Sequence, residues 1–558
     1  MRRPIFRFGE PDRSQGGEAR GAWLGGDSVL LVLDRDGATA SASPGRTSPP
    51  PPATVVPLPD LLDELSDLEP AARRELLEQV LAAAAPELEE PGGFSLAKDL
   101  HLSRDALRER LPRPGTEADQ PQSVQIDEVL AVDASSYWIK GWVSDRDGTL
   151  DRVVAISPEG CSVNLLEGSV RVVRPDLAEH HLGASIDSDT CLGFLDFVEL
   201  PVPSRLEQGW IVELHNATGS GLECEGPSVV AHLESVRDRI LAEFTTEPPR
   251  EELRRDHAYP ALARLQQRLR KSARIESVTP YGSREAEADV SIIVPLYRRL
   301  DLIQHQLTSF ALDPEIAHSD LIYVLDTPEL APELAAIAAQ FAELYRVPFR
   351  VACLNGNAGY AIANNLGASV ATGRLLLLLN SDVLPAAPGW LSAMTSFYDA
   401  TANIGVLGPK LLYEDGSIQH AGMYFQRETG SGLWGNQHYF KGFHRDFGEA
   451  GISRPVPAVT GACMMIASDL YGEVGGLSDL YVRGGYEDSD LCIRLAERGL
   501  ENWYLGNLHL YHLEAQSYPS EFRKTATEYN MWLHTHLWNN RIEQVSREYG
   551  PAAPEPAR

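Results

Sequence analysis

The run Leu375-Leu376-Leu377-Leu378-Leu379 constrains the fold more than any other stretch of this chain. Five consecutive leucines between Gly373 and Pro385 are too few to span a bilayer, so they predict a strand buried on both faces. Strands of that kind belong to α/β domains whose helices cover both sides of a mostly parallel sheet. This one runs into Asn380-Ser381-Asp382, which sets a carboxylate at the C-terminal edge of the strand, where open α/β sheets bind ligands. A carboxylate there can hold a hard divalent cation and, through it, phosphates. Alone, the stretch leaves a helix N-cap equally open, because Asn, Ser and Asp all cap well.

The neighbouring segments narrow that choice. Val290-Ser291-Ile292-Ile293-Val294-Pro295-Leu296-Tyr297 predicts a buried strand stopped by Pro295, followed by a helix over 302–310. Leu321-Ile322-Tyr323-Val324-Leu325-Asp326 predicts a second buried strand that also ends in a carboxylate. An alanine-rich helix over 329–344 returns the chain to a third strand near Phe349-Arg350-Val351. A turn at Asn357-Ala358-Gly359-Tyr360 and a helix at Ala363-Asn364-Asn365-Leu366-Gly367 then precede the leucine strand. This alternation predicts right-handed βαβ units. It places Asp326 and Asp382 on one rim.

At 558 residues the chain is too long for a single core, and about three or four domains are expected. Asp+Glu total 79 against Lys+Arg 49, a net charge of −30. That balance argues against a non-specific binder of nucleic acid or of an anionic membrane. No apolar run reaches transmembrane length, and Met1-Arg2-Arg3-Pro4 leads into no signal-like segment. Cys161, Cys191, Cys224, Cys353, Cys463 and Cys492 show no CxxC spacing and read as small buried hydrophobes in a reducing compartment. A cytoplasmic location is expected.

Seven further segments surround the α/β region. Residues 1–40 predict a short β-rich segment, 41–56 a Pro/Ser-rich linker around Pro49-Pro50-Pro51-Pro52, and 57–113 a small helical module. Residues 124–235 alternate as a β-sandwich, with Tyr137-Trp138-Ile139-Lys140-Gly141-Trp142-Val143 as one strand. Tyr137, Trp138 and Trp142 could stack on sugar rings, but aromatics in alternation are more often core. A helical linker is expected over 236–278, the α/β domain over 279–520, a C-terminal helix over 521–548 and a disordered tail over 549–558.

Residues from about 289 to 520 resemble glycosyltransferase family 2, especially its bacterial rhamnosyltransferase-like branch. The resemblance rests on the 290–295 strand, Asn357-x-Gly359-Tyr360 with Asn364-Asn365-x-Gly367, and Asn380-Ser381-Asp382. It continues through Gly408-Pro409-Lys410-Leu411-Leu412-Tyr413, Gln419-His420-Ala421-Gly422 and Thr460-Gly461-Ala462-Cys463. Gly485-Tyr486-Glu487-Asp488-Ser489-Asp490-Leu491 and Tyr511-His512 complete it. Each piece is weak, but in this order they make a strong signal. Gly141-Trp142-Val143-Ser144-Asp145 loosely resembles sandwich domains that precede some bacterial glycosyltransferases.

The resemblance implies a GT-A-like fold and inverting transfer of a hexosyl or deoxyhexosyl group from a nucleotide-diphosphate sugar. The acceptor hydroxyl would lie on a glycan, a lipid-linked or a protein acceptor of bacterial polysaccharide or glycoconjugate synthesis. Pro295, Tyr297, Asp326, Asn357, Gly359, Asn364, Asn380 and Ser381 would bind the donor. Asp382 would hold Mn²⁺ or Mg²⁺, with His512 as a second ligand. Asp488 would be the base, with Glu487 beside it, and Thr460, Gly461, Gly485 and Tyr486 would line the acceptor cleft. The chemistry agrees: a divalent ion offsets charge on a diphosphate leaving group, and inversion needs one base opposite it. Asp490, at a helix start, reads as structural and could pair with Arg494 across one turn.

Two residues depart from the family pattern. Asp326 is followed by Thr327-Pro328-Glu329 rather than a polar Gly-containing run, and Asn380 stands where many members carry aspartate. A catalytically silent glycan- or nucleotide-binding protein is the alternative of another class. A nucleotidyltransferase would want a glycine-rich basic loop where Pro295-Leu296-Tyr297-Arg298-Arg299 stands. For residues 1–278, acceptor presentation, contact with a partner enzyme and self-association stay open, as does a peripheral place at a membrane.

Overall fold

The computed structural model describes residues 122–549 apart from 146–147, 175–176, 178–192, 219–220, 246–249, 285–286 and 514–519. It adds 111–113, helical positions scattered through 81–108, and four short strands before residue 57. Most of the predicted linker over 41–56, most of the helical module over 57–113 and the tail beyond 549 lie outside the described residues. Thr54–Val56, expected in the linker, instead pairs with Phe6–Gly9, as a β-branched Thr-Val-Val run favours. The chain forms two compact units, Met1–Leu265 and Gln266–Arg558.

In the first unit, Gln122–Ala131, Ser136–Asp145, Gly193–Glu199, Val170–Val172 and Val229–Val230 make one sheet. Leu150–Ile156, Ser162–Asn164, Ile211–Asn216 and Gly221–Glu225 make a second. Residues of both sheets, among them Ile139, Phe194, Val153 and Leu214, share one apolar core. Tyr137, Trp138 and Trp142 are buried at 3%, 0% and 8% exposure, so they pack rather than present rings to a sugar.

The second unit is built on an eleven-stranded sheet. Its continuous path runs Ile275–Tyr281, Phe349–Leu354, Asp320–Leu325, Val290–Leu296, Leu375–Leu379, Cys463–Ala467, Ile404–Leu412, Glu501–His512 and Val383–Pro385. The leucine strand is central, and its side chains alternate between two cores. Leu376 and Leu378 join Ile293, Val324 and Ile362, while Leu375, Leu377 and Leu379 join Val294, Tyr323 and Trp390. Burial on both faces is why the run needs no polar alternation.

Two expectations fail in this unit. The sheet is mixed rather than mostly parallel: four consecutive βαβ strands are parallel, but Cys463–Ala467 lies antiparallel to both its neighbours. The linker predicted as helical to 278 also ends early. Ile275–Tyr281 is an antiparallel edge strand on Phe349–Leu354. The C-terminal helix, Ser520–Glu548, buries Tyr529, Trp532 and Leu533. Among the described residues, no helix is long and apolar enough to cross a membrane.

Candidate active site

Asp382 follows the leucine strand, and the turn that carries it is held from below. Gln306, fully buried, donates its side-chain amide to Asn380 O at 3.1 Å and to Val383 O at 3.2 Å. Val383 pairs in register with His512, the last residue of its strand. That pairing brings His512 Nε2 to 3.2 Å from Asp382 Oδ1. His512 Nδ1 lies 2.6 Å from Gln419 Oε1. A carbonyl oxygen only accepts, so Nδ1 carries a proton; in the neutral ring Nε2 then turns its lone pair to the carboxylate, and in the charged ring it donates to Asp382. With the ring neutral, these two atoms can ligate one cation, so the donor chemistry of Asp382 and His512 fits a divalent metal, with Gln419 holding the imidazole in place. Among the described residues no cluster of three or more His, Cys, Asp or Glu converges as ligands.

The second group is built on the start of the Glu487–Glu497 helix. Arg483, Gly484, Gly485 and Tyr486 all have positive φ, at 64°, 117°, 105° and 77°. The two glycines take this without penalty, whereas Arg483 and Tyr486 are strained. Asn530 on the C-terminal helix clamps the turn: it accepts from Val482 N at 2.9 Å and donates to Val482 O and Gly484 O. Ser489 Oγ bonds Asn436 Nδ2 at 2.9 Å and His534 Nε2 at 3.1 Å, tying the helix start to two further elements.

One turn joins the two groups. Asn380 N donates to Ala462 O, and Gly461 N donates to Asp488 Oδ2, both at 2.9 Å. Gly461 O accepts from Tyr360 at 2.7 Å, while Thr460 lies half-buried beside it. Asp488 is half-buried, with Gly461 N and Ser489 N donating to its two oxygens. Burial raises its pKa against the pull of these amides. Glu487 is enclosed at 4% exposure, and Oε2 has no partner. Burial and the adjacent Asp488 push it up to about 8. Repulsion between the two carboxyls disfavours ionising both. The amide donors assign the charge to Asp488 and the proton to Glu487. Of the two carboxyls expected at the catalytic centre, Glu487 is the more deeply buried.

The remaining predicted residues divide. Pro295, next to last in its strand, and Tyr297, just beyond it, are half-buried, and the Arg298 guanidinium lies 5.0 Å from the centre of the Tyr297 ring. Asp326 is buried and accepts from Ala358 N at 2.6 Å and Gly359 N at 2.9 Å, which anchors the loop holding the half-buried Asn357. Gly359 supplies the φ of 82° which that loop needs. Ser381 is half-buried, and Asn380 Oδ1 has no partner. Asn364, expected among the donor-binding residues, is fully buried and donates to Tyr360 O at 2.9 Å, while its Oδ1 has no partner among the described residues. Asp490 is bound by Arg494 Nε and Trp538 Nε1, each at 2.7 Å, as a structural carboxylate. Gln306, Gln419, Tyr360 and Asn530 were not predicted. Only Gln419 and Tyr360 carried a signal, from their place inside motifs.

The sequence model of Glycosyl transferase family 2 matches residues 291–465, and that of the N-terminal domain of galactosyltransferase matches residues 441–534. The chain is 30% identical over 232 residues to the "Uncharacterized protein y4gI" of Sinorhizobium fredii. It is 28% identical over 253 residues to the "O-antigen biosynthesis protein RfbC" of Myxococcus xanthus. These matches cover 41% and 44% of this chain but only 25% and 18% of those relatives. The solved structure of GalNAc-T7 with UDP, GalNAc and Mn²⁺ overlaps with a TM-score of 0.36 at 14% identity, covering 46% of this chain and 50% of that one.

Proposed function

We propose that this chain, whose residues 291–465 form a glycosyltransferase family 2 region, is an inverting, metal-dependent glycosyltransferase. It moves one sugar from a nucleotide-diphosphate sugar to an acceptor hydroxyl in polysaccharide or glycoconjugate synthesis. The observation that carries this reading is that one turn, 460–462, bonds both Asn380, two residues before the Asp382–His512 pair, and Asp488.

Asp382 and His512 would hold Mn²⁺ or Mg²⁺; when bound, the cation supplies positive charge to offset the diphosphate leaving group. Asp488, kept ionised by two amides, takes the proton of the acceptor hydroxyl. Glu487 stays protonated and so leaves that charge on Asp488. Pro295, Tyr297, Asn357 and Ser381 contact the nucleotide, with Asp326 and Gly359 shaping the loop between them. Thr460, Gly485 and Tyr486 line the acceptor side.

The same proposal reads residues 124–235 as a β-sandwich domain, 57–113 as a helical module and the protein as cytoplasmic. Residues 1–278 present the acceptor, contact a partner enzyme or mediate self-association. The test is calorimetric binding of UDP-, GDP- and dTDP-sugars with Mn²⁺, Mg²⁺ or EDTA. One donor is expected to bind only with metal, and Asp382→Ala to abolish that dependence. Absence of binding under every condition would leave a silent GT-A-like protein as the better account.

A further inference from the structure

Lys410 belongs to the Gly408-Pro409-Lys410 motif, yet the reaction outlined above does not use it. Its side chain is only 6% exposed, and its ammonium donates to a single acceptor, Arg445 O, at 3.1 Å. Among the described residues no carboxylate lies within ion-pair distance of it. A buried ammonium with three donors and one neutral acceptor is incompletely satisfied in both charge and hydrogen bonding. Burial lowers its pKa, and the nearby Asp446, exposed and 3.5 Å from His444, compensates only in part.

Beside the exposed Asp446, which acts on both Lys410 and His509, the surroundings add two further basic groups. Lys410 pairs in register with His509, and the ladder is broken there. Pro409 pairs with Leu505 and the next residue with His509, so residues 506–508 bulge out of the neighbouring strand. Bulges of this kind re-aim side chains and open the sheet locally. Arg445, exposed on the 441–449 loop, donates to the Tyr511 hydroxyl at 3.3 Å. Tyr511 lies edge-on to His509, with ring centroids 6.2 Å apart. Burial lowers the His509 pKa, and Lys410 and Arg445 lower it further. Three basic groups thus lie close enough to act on one another in a chain of net charge −30, with Tyr511 touching both Arg445 and His509.

We propose that Lys410, Arg445, His509 and Tyr511 form an anion subsite that takes a phosphate group carried by the acceptor. An ammonium, a guanidinium, an imidazole and a phenol together match the several oxygens of a phosphate. The subsite is distinct from the place of the donor diphosphate. His509 lies three residues before His512 on an extended strand, about 10 Å along it, and alternation turns His509 and Tyr511 away from the face of Leu510 and His512. The assignment to the acceptor rests on the glycosyltransferase reading; the anion site itself does not.

The test uses the full chain with EDTA and no donor, which silences the Asp382–His512 site. Inorganic pyrophosphate is titrated by ³¹P NMR into the wild type, Lys410→Met and Arg445→Gln. Binding is expected in the wild type and to weaken about tenfold or more in each variant, as for loss of one charge-assisted hydrogen bond. Equal affinity in all three proteins, or none in the wild type, overturns the subsite. In chloride buffer, Lys410→Met is expected to melt at a higher temperature than the wild type, because it keeps the stem and removes an uncompensated charge. A lower melting temperature would make Lys410 a structural donor to Arg445 O and overturn the proposal. Competition separates the sources: glycosyl phosphates and prenyl diphosphates are expected to displace the probe where neutral glycans do not. If they fail to displace it, the acceptor assignment falls even when donor binding succeeds.

Discussion

Asp382 Oδ1 stands 3.2 Å from His512 Nε2 because the strand beginning at Val383 pairs antiparallel with the strand ending at His512. The ring is oriented by Gln419, whose carbonyl oxygen takes the Nδ1 proton at 2.6 Å. The pair is therefore a product of strand register supported by one further residue.

Gln419→Leu should leave both proposed ligands in place and release the imidazole. Loss of such an orienting partner weakens metal affinity by about 10–100-fold. Titration of Mn²⁺ followed by electron paramagnetic resonance checks this. Unchanged affinity would remove Gln419 from the account.

Glu487 gives a pH prediction with a definite sign. Its folded pKa, about 8, lies above the ordinary 4.5. Between those values the folded state holds a proton that the unfolded chain has released, so this contribution to stability is complete below the lower value and lost as pH rises through the upper one. Glu487→Gln cannot ionise. Its denaturant midpoint should fall less steeply than that of the wild type between about pH 5 and 8. Parallel slopes for the two proteins would contradict the raised pKa.

Asp320 lies at the opposite end of the sheet from the site. It is 1% exposed and bound by Arg350 and Arg284 as well as Ser291 and Thr372. Burial pushes its carboxyl up, but Arg350 and the hydroxyl donors outweigh it and hold the pKa below the ordinary 3.8. The stabilisation is present above that value and is lost as pH falls through the folded pKa. Asp320→Ala should cost about 3–5 kcal/mol near neutral pH and less in acid. Urea unfolding at both pH values measures it, and a loss that does not shrink in acid would refute the ion-pair account.

What could be read from the sequence is what is local. Leu375–Leu379 announces a doubly buried strand, and the alternation of its leucines between two cores follows from strand geometry. Asp382 at the strand end was visible for the same reason, whereas Asp488 stood out through its motif. The direction of Cys463–Ala467 was not, because it depends on the path of the chain from 413 to 462 and not on the strand's own residues. Asn364 lies fully buried within its helix, and a short polar residue there reads alike from sequence whether it faces a cleft or a core. The Ser489–Asn436–His534 contacts and the grip of Asn530 on the 482–484 turn join distant segments, and no spacing rule reports such contacts.

The central claim is that Asp488 carries the base function while Asp382 and His512 serve the donor. Asp488→Asn keeps the side-chain shape and a carbonyl to accept from Gly461 N. Donor binding should remain within about threefold of the wild type, while donor hydrolysis in single turnover falls by about 10²–10⁴-fold, the range for loss of a positioned base. Hydrolysis that persists at the wild-type rate with intact binding would contradict the claim.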